Sequence, residues 1–406
     1  MKPTLVVLGT NKAHAAAEAV RERDTVVVTE PWYAEDFRAH GAGTVVVVAD
    51  IADTEATVVA LQDTWSAGGC RRDPAGRIRI LATSERTVQP AARLRARLGV
   101  CGTLPEIAVG FVDKGVMADR LLEAGVPMAA TVTVSSASDA MDAFQKIGYP
   151  AVVKPTTGSG NFGVRVVEDV GAASQFTAAY VHGSRWLVQQ RVRADAEYHL
   201  DSLVAEGRLV APIASRYSAP CLTWDEGSFH GSETIDDDDD EAKAVKHLGA
   251  AAVRALGLLQ GVVHLEVLRV GNRLVCNEIA CRPGGGGIGL ALDATLGGSF
   301  WAEVAALERT GVTHIDEYEK RPGYGWVALS TRPGRVLQMS SPDELLAIAG
   351  VQQVQYTVQV GEHVRRTGGV YTVAGYCLIR STSAAGHATV RTAVEQEFKI
   401  EVDDAE

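Results

Sequence analysis

Pro150-Ala-Val-Val-Lys154-Pro-Thr-Thr-Gly158-Ser159-Gly160-Asn161-Phe162-Gly163-Val164 places an apolar strand, one lysine and a run of glycines in succession. A strand over Ala151 to Val153 holds the ammonium as a point charge. The glycines let backbone N–H groups approach phosphate oxygens with no Cβ in the way. The order is not that of the Gly-x4-Gly-Lys-Ser/Thr loop, where the lysine follows the glycines; Gly158, Gly160 and Gly163 have Gly-x-Gly-x-x-Gly spacing, but they follow a strand that ends in a lysine and are not read as a dinucleotide fingerprint. Phosphate chemistry is the first expectation, and other segments must decide it.

The second informative stretch is Gly261-Val-Val-His264-Leu-Glu266-Val-Leu-Arg269-Val-Gly271-Asn272-Arg273-Leu-Val-Cys-Asn277-Glu278-Ile-Ala280-Cys-Arg282-Pro-Gly284-Gly285-Gly286-Gly287. It embeds two carboxylates in apolar strand sequence, and hard oxygens on a hairpin suit Mg2+. Side chains alternate faces, so both glutamates must share a face to share a cation. A two-residue turn at Gly271-Asn272 would set Glu266 opposite Asn277 and put Glu278 on the other face. A three-residue loop, Val270-Gly271-Asn272 with a left-handed Asn272, pairs Glu266 with Cys276 and His264 with Glu278. The metal reading therefore predicts the odd-length loop.

These residues resemble the ATP-grasp enzymes, and among them the carboxylate-amine ligases of the L-amino-acid ligase type, over nearly the whole chain. Asp113-Lys114-Gly-Val-Met-Ala-Asp-Arg-Leu-Leu-Glu-Ala-Gly125-Val-Pro127 looks like the segment of the family's first nucleotide lysine, and Lys154 like the second. Gly158, Ser159, Gly160, Asn161, Phe162 and Gly163 look like the mobile loop over the phosphates. Trp186-Leu-Val-Gln189-Gln190-Arg-Val192-Arg-Ala-Asp-Ala-Glu197 resembles the adenine hinge. The resemblance implies that Gln189 faces the adenine amino group, accepting through its carbonyl; Gln190 lies beside it, Val192 packs the ring and Glu197 holds the ribose.

Glu266 and Glu278 match the two metal carboxylates, and Arg282 with the following glycines matches the turn facing the reacting phosphate. The family usually has asparagine two residues after the second glutamate, where this chain has Ala280. Asn277 is expected to point to the other face as Glu278's strand neighbour. Mg2+, or Mn2+ in its place, would then rest on Glu266 and Glu278 with phosphate oxygens and water. Lys154, Glu266, Glu278 and Arg282 form the expected catalytic group. Arg216, His264, Arg282, Gly285 and Gly286 are candidates for substrate contact; a polar-site histidine and a surface ion pair are the plainer readings of His264 and Arg216.

The implied architecture is α/β and α+β: an N-terminal Rossmann-like domain over 1–108, an ATP-grasp domain over 109–320, and a small α+β cap over 321–406. Within the ATP-grasp domain, the nucleotide lid is expected over about 115–190 and the metal part over about 191–320. Independently, β-branched runs at Leu5 to Leu8, Thr25 to Val28 and Thr44 to Val48, with a helix from Lys12 to Arg21 and a further strand at Arg79 to Ala82, read as parallel α/β. Strands in the tail are expected near Tyr324 to Ser330, Val351 to Val360 and Tyr371 to Arg380.

A chain of 406 residues with 46% hydrophobic content can form two or three packed domains. A net charge of −11 disfavours nucleic acid and anionic membrane as main partners. With no membrane-length apolar run, a cytoplasmic protein is expected, and a homodimer is the default assembly. The six cysteines, Cys70 among them, read as free thiols. Asp236 to Asp240 reads as acids capping the helix that follows. The loop Ala219 to Thr234, with Trp224, Asp225, Glu226, Phe229 and His230, reads as a specificity element.

The expected reaction is ATP-dependent amide formation between an acid and an amine through an acyl phosphate. Two alternatives remain: a carboxylase or purine-synthesis reaction on the same fold, and a non-catalytic ATP-binding module.

Overall fold

A computed structural model describes residues 3–10, 16–22, 24–67, 78–160, 162–180, 183–224, 228–364 and 372–403. Asn161, Asp225, Glu226, Cys70, the start of the helix expected from Lys12 and the Tyr371 end of the last expected strand lie outside them.

The first sheet is parallel: Thr4–Leu8 (β1), Thr25–Thr29 (β2), Thr44–Val47 (β3) and Ile78–Ala82 (β4), in the order β3-β2-β1-β4. Valine, isoleucine and leucine on both faces suit strands covered on both sides by helices. The second sheet carries the opening lysine: Thr131–Val134 (β5), Ala151–Pro155 (β6), Arg165–Val167 (β7) and Trp186–Gln190 (β8), antiparallel in the order β5-β8-β6-β7. Helices Ala137–Ile147 and Val170–Ala178 cover one face through Phe144 and Phe176.

The remaining strands are Ala196–Ala205 (β9), Arg208–Tyr217 (β10), Gly231–Thr234 (β11), Gly261–Val270 (β12), Arg273–Ala280 (β13), Tyr324–Ser330 (β14), Gly334–Met339 (β15), Val351–Tyr356 (β16), His363–Val364 (β17), Val373–Arg380 (β18) and Ile400–Val402 (β19). Eight of them form an antiparallel sheet, β13-β12-β9-β10-β11-β14-β18-β16, so the tail strands β14, β16 and β18 extend the sheet that carries Glu266 and Glu278. Three short strands, β17-β15-β19, make a separate small sheet.

Helix Asp240–Leu256 covers one face of the large sheet through Val245, Leu248, Ala252 and Val253. It comes close because position 249 has no side chain: a Cβ there would lie 2.2 Å from Leu200 Cδ2. Asp239 caps it by accepting from Glu241 N at 2.7 Å, as the acidic run implied. No helix among the described residues is long and apolar enough to cross a membrane.

The hairpin corrects one expectation. Val270 pairs directly with Arg273, so the turn has two residues, with the left-handed backbone at Gly271 (φ 58°) rather than at Asn272. A two-residue hairpin with glycine first is a favoured primed turn. The extra residue needed for parity comes instead from a bulge: Val267 pairs with Cys276, but Glu266 pairs with Glu278 and His264 with Ala280. Asn277 is the residue left over, and the slip brings both glutamates to one face.

Candidate active site

Glu266 and Glu278 sit side by side on β12 and β13, and three cations converge on them. Lys114 opens helix Lys114–Glu123, whose N-cap Asp113 accepts from Gly115 N and Val116 N. Lys114 Nζ lies 3.1 Å from Glu278 Oε1 and donates to Gly158 O at 2.6 Å, tying the glycine loop to β13. Burial works against its charge, but Glu278 and Glu85 outweigh burial and raise its pKa.

Lys154 is 6% exposed and has no ion-pair partner among the described residues. Burial pushes its pKa down. A buried ammonium with no carboxylate at ion-pair distance among the described residues, preceding left-handed glycines at 158, 160 and 163, is a place an anionic phosphate would complete.

Arg282 is held from the N-terminal sheet's side: its Nε donates to Glu85 Oε2 at 3.1 Å. Glu85 begins the helix Glu85–Leu98 that follows β4, where Ser84 and Thr87 form a capping box. Its other oxygen, Oε1, is buried with no hydrogen-bond partner, and burial raises its pKa. Sequence reasoning missed Glu85; the available signal was a Thr-Ser-Glu run at the C-terminal end of a parallel strand, where α/β sheets place ligands.

A chain of buried polar groups backs Glu266. Ser232 Oγ lies 2.8 Å from His199 Nε2, His199 Nδ1 lies 2.6 Å from Asp201 Oδ2, and Asp201 Oδ1 lies 2.9 Å from His264 Nδ1. His264 Nε2 then lies 3.8 Å from Glu266 Oε1. Burial opposes charge on His264, but Asp201 outweighs it and pushes the imidazole up to about 9. Burial likewise opposes ionisation of Glu266, yet His264, Arg282 and Lys154 bring it down to about 2. His264 thus supports the carboxylate from within the sheet, consistent with the polar-site reading. The set His199, Asp201 and His264 could hold a metal ion by spacing, but Asp201 and the two imidazoles already satisfy one another.

Asn277 departs from expectation. Instead of facing away, its Nδ2 donates to Glu266 Oε2 at 3.1 Å, because the bulge breaks the alternation that would have turned it aside. Arg216 departs in the opposite sense. Ser215 pairs with His199, which pairs with Glu266, so Ser215 shares the site's face and Arg216 takes the other. There it pairs with Glu233 at 2.8 Å and lines a cavity of about 310 Å3 with His387 and Arg391. It therefore does not face the Glu266–Glu278 pair.

At the hinge, Gln189 is buried and donates to Thr131 Oγ1 at 3.2 Å, which leaves its carbonyl to accept. Gln190 is exposed and Val192 half-buried on the segment leading to β9. Glu197 accepts from Cys221 N at 2.7 Å; burial, then Glu266's charge, push its carboxyl up to about 8. Ser159 and Phe162 are exposed. A Cβ at Gly285 would meet nothing within 4 Å, whereas one at Gly286 would lie 3.1 Å from the Trp326 ring. In the loop before β11, His230 is buried between Trp224 and Tyr217, at 4.5 and 5.2 Å between ring centroids, and burial lowers its pKa to about 4.

Residues 119–295 match the ATP-grasp domain, and residues 327–403 match the L-amino acid ligase C-terminal domain 2. The chain carries an ATP-grasp domain followed by an L-amino acid ligase C-terminal domain. This ATP-grasp chain is 25% identical over 345 residues to an L-arginine-specific L-amino acid ligase of Bacillus subtilis, a match covering 83% of this chain and 81% of that one. Its fold superposes on the crystal structure of an L-amino acid ligase from Bacillus licheniformis with a TM-score of 0.77, at 17% identity and covering both chains completely. An N5-carboxyaminoimidazole ribonucleotide synthetase in complex with ADP gives a TM-score of 0.72 at 12% identity, covering 97% of each chain. The α/β and α+β ATP-grasp architecture expected from the sequence is borne out.

Proposed function

We propose that this ATP-grasp ligase joins an amino acid or related carboxylic acid to an amine, phosphorylating the acid with ATP to form an acyl phosphate and releasing ADP and phosphate. The observation that carries this reading is the convergence of Lys114, Lys154 and Arg282 on the Glu266–Glu278 pair, with the unpartnered oxygen of Glu85 beside Arg282.

Lys114 and Lys154 would neutralise the phosphates, and the backbone of Gly158 to Gly163 would close over them. The adenine would lie along Gln189, Gln190 and Val192, with Glu197 near the ribose. The acid's carboxylate oxygen would bond to the γ-phosphorus as the bond to the β-phosphate oxygen breaks and ADP leaves. Arg282 would stabilise the charge on the acyl phosphate and on the tetrahedral intermediate formed when the amine attacks the acyl carbon. Phosphate then departs and the nitrogen loses its proton. Glu85 Oε1, a buried acceptor without a donor, suits an ammonium on the acid substrate. Two paired carboxylates beside a cationic cleft fit Mg2+, which would supply charge neutralisation of the phosphate oxygens.

The same proposal divides the chain at about 108 and 320, and includes a cytoplasmic location and a homodimer. Support for an amino-acid ligase over a carboxylase or purine-type enzyme comes from the match of the tail to the L-amino acid ligase C-terminal domain. Phosphate release from ATP, measured over pairs of amino acids, tests it: release requiring two substrates supports the ligase, and release with bicarbonate alone favours the carboxylase.

A further inference from the structure

Ala280 stands where an ATP-grasp ligase usually carries a metal-binding asparagine, and its methyl group can ligate nothing. It is 2% exposed and pairs with His264 across the hairpin. The hairpin offers a different oxygen. The bulge between Glu266 and Val267 inserts Asn277 as an unpaired residue, and a bulge commonly re-aims a side chain towards a site. Its amide nitrogen lies 3.1 Å from Glu266 Oε2, so the whole amide group stands beside the carboxylate pair. Its Oδ1 has no hydrogen-bond partner among the described residues. The two ends of an amide exchange by a half-turn about the last torsion, so the oxygen can reach the same place as the nitrogen.

We propose that Asn277, re-aimed by the bulge, supplies the third protein oxygen to the divalent cation held by Glu266 and Glu278, taking over the role that Ala280 cannot fill. Mg2+ and Mn2+ prefer hard oxygens, and a neutral amide adds one without adding a third negative charge to the pair. The bulge then has two effects: it sets Glu278 opposite Glu266, and it converts the displaced neighbour into a ligand. This inference rests on the proposed metal role of the two glutamates.

The test uses the full chain with Mn2+ and a non-hydrolysable ATP analogue. Bound Mn2+ is counted from the loss of the free-ion electron paramagnetic resonance signal. Asn277→Ala is expected to weaken Mn2+ uptake about tenfold or more, in the range seen when groups supporting a metal are removed. Asn277→Asp is expected to hold Mn2+ as tightly as the parent or more so. If Asn277 served only to donate a hydrogen bond to Glu266, the aspartate, which donates nothing and repels Glu266, would be the worse of the two. That order of affinities, or parent-like uptake by Asn277→Ala, overturns the proposal. Circular dichroism and analogue binding without metal identify a variant that has lost its fold, and Asn277→Ser then replaces it. If the parent binds the analogue but takes up no Mn2+, the metal role of Glu266 and Glu278 fails along with it; if Glu278→Gln loses Mn2+ while Asn277→Ala keeps it, only the inference about Asn277 fails.

Discussion

Gly284→Ala places one methyl group against the polar chain behind Glu266. The added Cβ would lie 2.9 Å from Asp201 Oδ1, 2.9 Å from Ile288 Cδ1 and 3.0 Å from His264 Nδ1. Ile288 Cδ1 ends a flexible side chain and can swing aside. Asp201 and His264 cannot: they are 0% and 6% exposed, they are hydrogen-bonded to each other, and Asp201 is held in addition by His199. Gly284 has no left-handed backbone, so strain in φ adds nothing and the contacts decide the outcome. Overpacking of this kind costs about 1–3 kcal/mol, of which roughly 2 kcal/mol is assigned here because one of the three contacts can relax. A loss of that size lowers the first thermal transition by roughly 3–6 °C. Relief by pushing His264 off Asp201 shifts Glu266 as well, and misplacement of a site group on this scale lowers kcat by up to about a hundredfold. Differential scanning calorimetry and ATP-dependent phosphate release measure the two effects. Gly285→Ala, with nothing within 4 Å of its Cβ, is the stability control and should melt within about 1 °C of the parent. A Gly284→Ala protein that melts and turns over like the parent would refute the argument that His264 and Asp201 form a rigid support for Glu266.

Three further outcomes are expected. Glu85→Gln leaves Arg282 beside Glu266 and Glu278 and removes a carboxylate that burial already disfavours, so stability changes by about 1 kcal/mol or less while KM for the acid substrate rises about tenfold or more; unchanged KM in substrate titrations removes Glu85 from the substrate site. Lys154→Met lowers kcat/KM for ATP by about 10²–10³, as loss of one preorganised charge does, without destabilising the fold, because a buried unpaired ammonium is replaced by an apolar chain of similar length; a parent-like value in steady-state kinetics counts against phosphate binding there. Asp293 accepts from Phe300 N at 2.7 Å, and burial pushes its carboxyl up to about 7 from an ordinary 3.8. With the folded value above the unfolded one, the folded state holds the proton more tightly, so its contribution to stability is greatest below 3.8 and is lost as pH rises from there through about 7. Asp293→Asn keeps the carbonyl acceptor and should gain roughly 2–4 kcal/mol over the parent at pH 8 but little at pH 4, read as a widening difference in Tm; a difference constant with pH contradicts it.

The lysines, the glycine loop, both glutamates and Arg282 were legible because each stands in a short segment whose chemistry is local. The parallel strands were legible for the same reason, as β-branched runs read without knowledge of their neighbours. Glu266 and Glu278 share a face, as a common cation requires, but a bulge rather than an odd-length turn brings them there. Regular pairing is the assumption that puts the odd residue in the turn rather than in the bulge at Asn277. Periodicity of two carries no mark of a bulge, and the same assumption turned Asn277 away from the site. Arg216 failed because the face of β10 is set by its pairing with β9, a long-range fact. Glu85 was missed because it reaches Arg282 from 197 positions away along the chain. The tail strands were found, but their union with the central sheet through β11 depends on pairings between segments that share no local signal.

The most direct test of the ligase account is phosphate release from Mg2+-ATP measured with pairs of amino acids, with the product identified by mass spectrometry and Glu278→Gln as the control. The account predicts one phosphate for each amide bond formed, release only when both acid and amine are present, and loss of both in the variant. Steady ATP hydrolysis that ignores the amine, or tight ATP binding without release for every pair, would contradict it.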